Sequence, residues 1–322
     1  MSTTEGFAHP EFLVETDALE QRLNDPELRI LDCTTHLIPD PKITYQVVPG
    51  RADFEKGHIP GAQFVDLQGD LSDKNHRFRF MLPSAEAFPA AMSGFGVGDG
   101  TRVVLYSTAN PWWATRVWWM LRVFGFDSAA VLNGGWQKWS REGRPVETDP
   151  AKPRTPGHFV VREQRPLMVG KEEVLQAIGN AEACTINALL PEQHAGAGGN
   201  SYGRPGHIKG SVNLPAAHLL DPKTNAFLPT AELRKRFAAI GAFGKNVITY
   251  CGGGIAASAD ALALVMLGHP DALVADHLYR HAAPPPDAID LLLHRAGVGV
   301  DQDSDGICAG HIFAVLQHAG CD

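Results

Sequence analysis

The amino-acid sequence predicts an α/β protein built from two copies of one module, each a mostly parallel sheet with helices on both faces. Apolar runs typical of buried strands alternate with helical patterns along the chain, which favours parallel sheets covered on both sides. The motif GHIPGA at residues 57–62 recurs as GHIKGS at 206–211, and the strand-like run at 103–107 recurs at 247–251. At 322 residues the chain is long enough for two domains of about 150 residues each.

The first copy is predicted to open with a helix, because Asp17 and Glu20 have the spacing of a helix start. An apolar run that ends at Asp32 indicates a buried strand, and an irregular, proline-containing stretch follows it. Pro83 opens a second helix, and an aromatic-rich third helix comes after the next strand. The predicted elements are helix 17–23, strand 29–32, helix 83–94, strand 103–106, helix 112–125, strand 129–132 and a short helix around Trp139.

The second copy repeats this order. Its predicted elements are helix 167–178, strand 184–187, strand 247–251, helix 256–268 and a strand around residue 274. Prolines among charged residues separate the copies, so we predict a first domain at 1–146, a linker at 147–164 and a second domain at 165–322. From about residue 277 the second copy loses its match to the first, which we interpret as an atypical C-terminal tail.

Composition and charge narrow the classes of partner. The chain is 44% hydrophobic and 20% charged, with a formal net charge of −8, which argues against nucleic acid or an anionic membrane as the partner. It has neither the pattern of a secretory signal nor an apolar stretch of about 18 residues, so we expect a cytoplasmic protein. Its five cysteines form no C-x-x-C pair, and we expect no metal site or disulfide framework.

The second copy carries one cysteine where chemistry is expected. Cys251 follows the predicted strand and precedes three glycines, after which the helical pattern begins. Glycines allow successive backbone N–H groups to point to one centre, and the helix adds the positive end of its dipole, so this loop is typical of an anion cradle. Such a cradle stabilises a thiolate, the nucleophilic form of cysteine. The alternative interpretation is a buried structural cysteine beside a tight turn.

These motifs together resemble the two-domain rhodanese and mercaptopyruvate sulfurtransferase family. The matching segments are GHIPGA at 57–62, RVWWM at 116–120, NGGW at 133–136, GHIKGSVNLP at 206–215 and the Cys251 loop. The resemblance implies tandem rhodanese-like domains, of which the first is non-catalytic because Ser107 stands where the second has Cys251. It also implies a Cys251 persulfide that passes sulfur from thiosulfate or 3-mercaptopyruvate to a thiol or cyanide, without a cofactor. A thioredoxin-like reductant is a further expected partner.

The resemblance assigns the remaining site residues as well. It implies that the loop residues hold the sulfur through their backbone N–H groups, namely Gly252, Gly253, Gly254, Ile255 and Ala256. Arg204 and His194 are our candidates for binding the donor's anionic group. Thiosulfate-type members carry two cations after the cysteine and mercaptopyruvate-type members carry hydroxyls in the loop, whereas this loop has neither. Phe80 also stands where a histidine of the family is expected, so the choice between the two donors stays open.

Two rival interpretations differ in class. Phosphatases with a cysteine loop place an arginine six residues after the cysteine, but here that residue is Ala257, which cannot bind a phosphoryl group. The second rival is a catalytically weak rhodanese-like module that carries sulfur or binds a partner. The absence of charged and hydroxyl groups from the loop supports it, and replacement of Cys251 by serine separates the two functions.

Overall fold

The computed structural model describes residues 6–41, 44–197, 205–269 and 272–276. The predicted C-terminal tail and the candidate Arg204 lie outside these residues. Among the described residues, no helix has both the length and the hydrophobicity needed to span a membrane.

The strands fall into two groups along the chain. Those of the first half are β1 (Leu13–Val14), β2 (Leu28–Asp32), β3 (Thr35–Asp40), β4 (Thr44–Pro49), β5 (Ala62–Phe64), β6 (Arg102–Tyr106) and β7 (Ala129–Leu132). Those of the second half are β8 (Met168–Val169), β9 (Ala183–Asn187), β10 (Val212–Asn213), β11 (Asn246–Tyr250) and β12 (Leu273–Ala275).

Two parallel sheets organise the molecule. The first has the order β1-β7-β6-β2-β5 and the second the order β8-β12-β11-β9-β10, and all pairings within both are parallel. The two orders correspond strand by strand, with β11 of the second sheet matching β6 of the first. The predicted α/β class with two mostly parallel sheets is therefore confirmed.

Helices cover both faces of these sheets. They are α1 (Thr16–Glu20), α2 (Arg51–Lys56), α3 (Leu67–Asp70), α4 (Ala87–Gly94), α5 (Trp112–Val123), α6 (Gly135–Arg141), α7 (Lys171–Ala177), α8 (Pro191–His194), α9 (Thr230–Ala239) and α10 (Ile255–Met266). Alternate residues of β6 point to opposite faces: Leu105 packs with α5, while Val104 packs with Trp139 of α6. Because both faces of each sheet are buried, its strands are continuous apolar segments of the sequence, and they could be predicted for that reason.

Helices α5 and α10 pack against each other and join the two sheets into one core. A single hydrophobic cluster runs from Phe7 to Val274 and includes residues of both helices. Thr115 of α5 and Ser258 of α10 share a buried hydrogen bond of 2.7 Å between their hydroxyls. Trp119 of α5 also donates its indole N–H to the carbonyl of Leu167 at 3.2 Å.

The segment at 147–164 contains no helix or strand, yet it packs on the first sheet's domain. Phe159 is buried and lies beside Phe88 and Phe126, with ring centroids 5.8 and 5.4 Å apart. Arg154 donates to the carbonyl of Gly61 at 3.1 Å. The segment that connects the two halves is thus anchored along its length.

Three sequence-based expectations were wrong. The helix expected to open at Pro83 begins only at Ala87. The stretch expected to be irregular after Asp32 is the antiparallel hairpin β3–β4. Its strands were not recognised from the sequence because Pro39 and Pro49 interrupt the β pattern. The helix expected from residue 167 begins only at Lys171, because Met168 and Val169 form the edge strand β8 beside β12. Pairing with a distant strand overrides the local helical pattern there.

Candidate active site

Cys251 lies at the carboxyl end of β11, the central strand of the second sheet. Its side chain is 4% exposed, and the loop 251–254 leads directly into α10. Ligands of parallel α/β sheets bind beyond the carboxyl ends of the strands, and a helix of this length has a positive N-terminal end. The fold therefore places Cys251 at a position that favours an anionic group.

Gly254 is the residue on which the loop turns into the helix. It caps α10 with φ +70°, a left-handed conformation that side chains rarely adopt. A Cβ on this residue would lie 2.7 Å from a guanidinium nitrogen of Arg116 and 3.4 Å from a carboxylate oxygen of Asp276. Only glycine fits between these groups.

Arg116 reaches from helix α5 of the first domain to the end of the Cys251 loop. The side chain is fully buried, and it donates to the carbonyl of Phe80 at 2.7 Å and to the carboxylate of Asp276 at 3.3 Å. The sequence analysis quoted this arginine only as part of a family motif and gave it no role. A charged residue in the middle of a largely apolar helix was the signal, because a buried guanidinium needs nearby acceptors.

Phe80 forms part of the wall above the loop in a strained conformation. Its φ is +64°, which is an outlier for an aromatic residue. Hydrogen bonds hold the peptide groups on both sides of it: its N–H donates to Gln68 at 2.9 Å, and its carbonyl accepts from Arg116. The ring lies 5.5 Å from that of Trp113. Two bonds thus fix an apolar ring in the wall.

A cleft of about 760 Å³, which we call the Cys251 cleft, opens above the cysteine. Its described lining comes from the β3–β4 hairpin, the loops after β6 and β9, the start of α5 and the cysteine loop. These residues are Thr35, His36, Leu37, Ile38, Pro39, Tyr45, Phe80, Ala109, Asn110, Trp112, Trp113, Ala188, Leu189, Leu190, Gln193, Ala217, Cys251, Gly252, Gly253, Ile255 and Ala256.

Charge is scarce in this lining. Among the lining residues that the structure describes, none is Lys, Arg, Asp or Glu. His36 is paired with Asp53 at 2.8 Å, outside the lining. A hydrogen bond from Lys56, which has the larger effect, and one from His36 hold the pKa of Asp53 below its usual value. The walls are therefore apolar, and backbone groups of the loop provide most of the polarity beside the thiol.

The predicted site residues divide between the cleft and its surroundings. Gly252, Gly253, Ile255 and Ala256 line the cleft with Cys251, whereas Gly254 faces Arg116. The structure does not bring His194 into the described lining. Its ring is stacked on that of His207 at 3.9 Å, and burial, followed by the neighbouring His207, lowers its pKa. Arg204 lies outside the described residues.

The first copy contributes a wall and no nucleophile. Ser107 occupies the position that corresponds to Cys251, is 1% exposed and donates its hydroxyl to the carbonyl of Asn110. Ala109 and Asn110 of the same loop line the Cys251 cleft. The sequence predicts a non-catalytic first copy and gives no sign of the hairpin or of the aromatic wall.

Comparison with known proteins decides the family. The model of the rhodanese-like domain matches residues 15–142 and 191–277. The chain belongs to the rhodanese-like family. The first matched segment contains β2 to β7, and the second contains β10, β11 and β12 together with the Cys251 loop.

The similarity to curated relatives extends over most of the chain. The chain is 31% identical to 3-mercaptopyruvate sulfurtransferase of Escherichia coli K12, over 86% of the chain and 94% of the relative. It is 32% identical to thiosulfate sulfurtransferase of Bos taurus, over 81% of the chain and 87% of the relative. It is also 31% identical to the sulfur carrier protein TtuD of Thermus thermophilus, over 76% and 84% respectively.

A solved structure shows the same architecture. The crystal structure of SseA from Escherichia coli, a 3-mercaptopyruvate sulfurtransferase, superposes with a TM-score of 0.71 at 29% identity. The match covers 84% of this chain and 99% of SseA. The predicted tandem rhodanese-like fold is confirmed, and the chain stands among the sulfurtransferase enzymes.

Proposed function

We propose that this rhodanese-like protein moves a sulfane sulfur from thiosulfate or 3-mercaptopyruvate to a thiol or cyanide through a persulfide on Cys251. The observation that carries the proposal is the placement of Cys251 at the floor of a cleft, between the central strand and the N-terminus of α10. That position combines a nucleophile, an anion-stabilising loop and space for a substrate.

The first half-reaction transfers sulfur to the enzyme. The Cys251 thiolate attacks the outer sulfur of thiosulfate, the S–S bond of the donor breaks, and sulfite leaves with the electron pair. With 3-mercaptopyruvate the C–S bond breaks instead, and the carbon takes the thiol proton, so that pyruvate leaves. In both cases the product is a Cys251 persulfide anion, which the backbone N–H groups of residues 252–256 stabilise.

The second half-reaction returns the thiolate. An acceptor thiol attacks the outer sulfur of the persulfide, the enzyme's S–S bond breaks, and the acceptor leaves as its own persulfide. With cyanide the product is thiocyanate. A thioredoxin-like reductant and a cytoplasmic location remain predictions from the sequence.

Mass spectrometry of the intact chain tests the proposal. After incubation with each donor and removal of excess, we expect one added sulfur, mapped to Cys251. The variant Cys251→Ser should gain none, while Cys184→Ser, which removes a different buried cysteine, should load as the parent does. Absence of added sulfur with both donors, in folded protein, would refute the proposal.

A second candidate function is that of a sulfur carrier that turns over slowly. The similarity to the Thermus sulfur carrier protein and the uncharged Cys251 loop favour it. The two functions differ in kinetics, because a carrier loads once and holds its sulfur, whereas a transferase releases many equivalents of acceptor product for each Cys251.

A further inference from the structure

We infer that the Cys251 cleft takes an apolar thiol as its sulfur acceptor, with Ile38 and Leu190 as specificity-determining residues. The inference rests on the proposed persulfide chemistry, because the acceptor is the molecule that must reach the outer sulfur on Cys251. It goes further in naming the chemical class of that molecule.

The outer part of the cleft exposes apolar side chains from both domains. Ile38, on strand β3, is 48% exposed, and Leu190, directly before α8, is 47% exposed, and both line the Cys251 cleft. The exposed large hydrophobic residues in the described part of the chain are Ile38, Val146, Val160, Leu175 and Leu190. Two of these five converge on the entrance to the reactive thiol, where an apolar ligand would bury them.

The deeper wall is aromatic and held in place. Trp113 is 5% exposed and Phe80 is 2% exposed, with their rings 5.5 Å apart. Phe80 keeps its left-handed backbone because Gln68 and Arg116 bind the peptide groups on both sides of it. The wall therefore presents a fixed apolar surface, which favours an aromatic or aliphatic ligand over a hydrated one.

The charge of the lining points to the same class. The described lining offers no Lys or Arg to pair with a charged acceptor body in the outer part of the cleft, and burial of an unpaired charge is costly. In the proposed reaction the small anionic donor reacts at the Cys251 loop instead, where backbone N–H groups stabilise it. The volume of about 760 Å³ is also far larger than a cyanide ion requires and lies in the range of sites for drug-sized molecules. An uncharged thiol with an apolar body satisfies both conditions.

The transfer to such a thiol balances without a further reactant. The acceptor R–SH, as its thiolate, attacks the outer sulfur of the Cys251 persulfide, and the bond between the two sulfurs of the persulfide breaks. The acceptor becomes R–S–SH, and Cys251 returns to the thiolate. Only the acceptor's body, R, distinguishes one thiol from another, so its fit to the cleft sets the rate.

Three thiols that differ in their bodies test the inference on the full chain, with each rate corrected for the thiolate fraction of that thiol at the assay pH. Protein loaded with one sulfur on Cys251 is mixed with 2-phenylethanethiol, 2-mercaptoethanol or 2-mercaptoethanesulfonate, and loss of the added sulfur is followed by intact mass. We expect the aromatic thiol to react at least about tenfold faster than the sulfonate, which corresponds to about 1.4 kcal/mol. Equal rates for the three thiols would overturn the inference and leave the proposed function intact.

Charge placed at the entrance should change this preference. Ile38→Lys and Leu190→Lys should each lower the ratio of aromatic to sulfonate rates at least about threefold, because the new cation pairs with the sulfonate. Leu175→Lys is the matched control, since Leu175 is 56% exposed on α7 and does not line the cleft. A control that shifts the ratio as much as the two entrance variants overturns the assignment. Failure of the parent chain to load sulfur at all overturns the proposed function, and the inference with it.

Discussion

The substitution Gly254→Ala should disrupt the contact between the two domains at the cysteine loop. Gly254 has φ +70°, and an added Cβ would lie 2.7 Å from a nitrogen of the fully buried Arg116 guanidinium. The guanidinium has no solvent to move into. The loop or the arginine must therefore shift, and the hydrogen bonds from Arg116 to Phe80 and Asp276 must lengthen.

The expected loss in free energy of unfolding has two parts. A left-handed conformation costs a residue with a Cβ about 1–2 kcal/mol relative to glycine. Loss of a buried hydrogen bond from a charged group costs about 1.5–3 kcal/mol more. Together the two parts give about 2.5–5 kcal/mol for Gly254→Ala.

Gly241→Ala isolates the first part. Gly241 has φ +68°, and a Cβ there would meet nothing within 4 Å, so only the conformational cost of about 1–2 kcal/mol applies. Urea unfolding followed by tryptophan fluorescence measures both variants. Equal losses would refute the reasoning, as would a Gly254→Ala loss that is undiminished when Arg116→Ala is introduced beside it.

Three further predictions concern buried polar groups. Neither carboxylate oxygen of the fully buried Asp260 has a hydrogen-bond partner in the described structure. Asp260→Ala should therefore raise the free energy of unfolding by about 1–3 kcal/mol at neutral pH, as measured by urea unfolding, and a lower value than that of the parent would contradict this. Thr115→Val and Ser258→Ala should show a coupling energy of about 1 kcal/mol in a double-mutant cycle, whereas additive losses would deny the shared bond. Burial raises the pKa of Asp32 to about 6, so between pH 4 and 6 the folded state keeps a proton that the unfolded state releases. The free energy of unfolding should therefore fall by on the order of 3 kcal/mol as the pH rises from 4 to 6. Asp32→Asn should remove that part of the slope in urea titrations at several pH values, and an unchanged slope would exclude Asp32 as its source.

Local pattern was sufficient to locate the cysteine loop between the central strand and α10. The strand before Cys251, the glycines after it and the helix beyond are all adjacent in sequence, so their signals are local. The correspondence between the two halves of the chain followed from repetition of one module. Burial on both faces made these strands continuous apolar runs, which are the easiest strands to recognise.

Long-range contacts account for what the sequence did not reveal. Arg116 and Asp276 are 160 positions apart, and no local pattern pairs them. The left-handed backbone of Phe80 depends on partners from other elements, as does the pairing of Met168 and Val169 with β12. The lining of the cleft likewise required the folded chain, because it comes from both domains.

The contact between Arg116 and the turn at Gly254 constrains how this gene can evolve. A duplicated copy that has lost its nucleophile is ordinarily free to accumulate mutations and disappear. Here the copy with Ser107 supplies the guanidinium against which the cysteine loop of the other copy is packed. A substitution at Arg116 in the first half of the chain therefore bears on the Cys251 loop in the second half, and removal of the first half would leave Gly254 and Asp276 without this guanidinium.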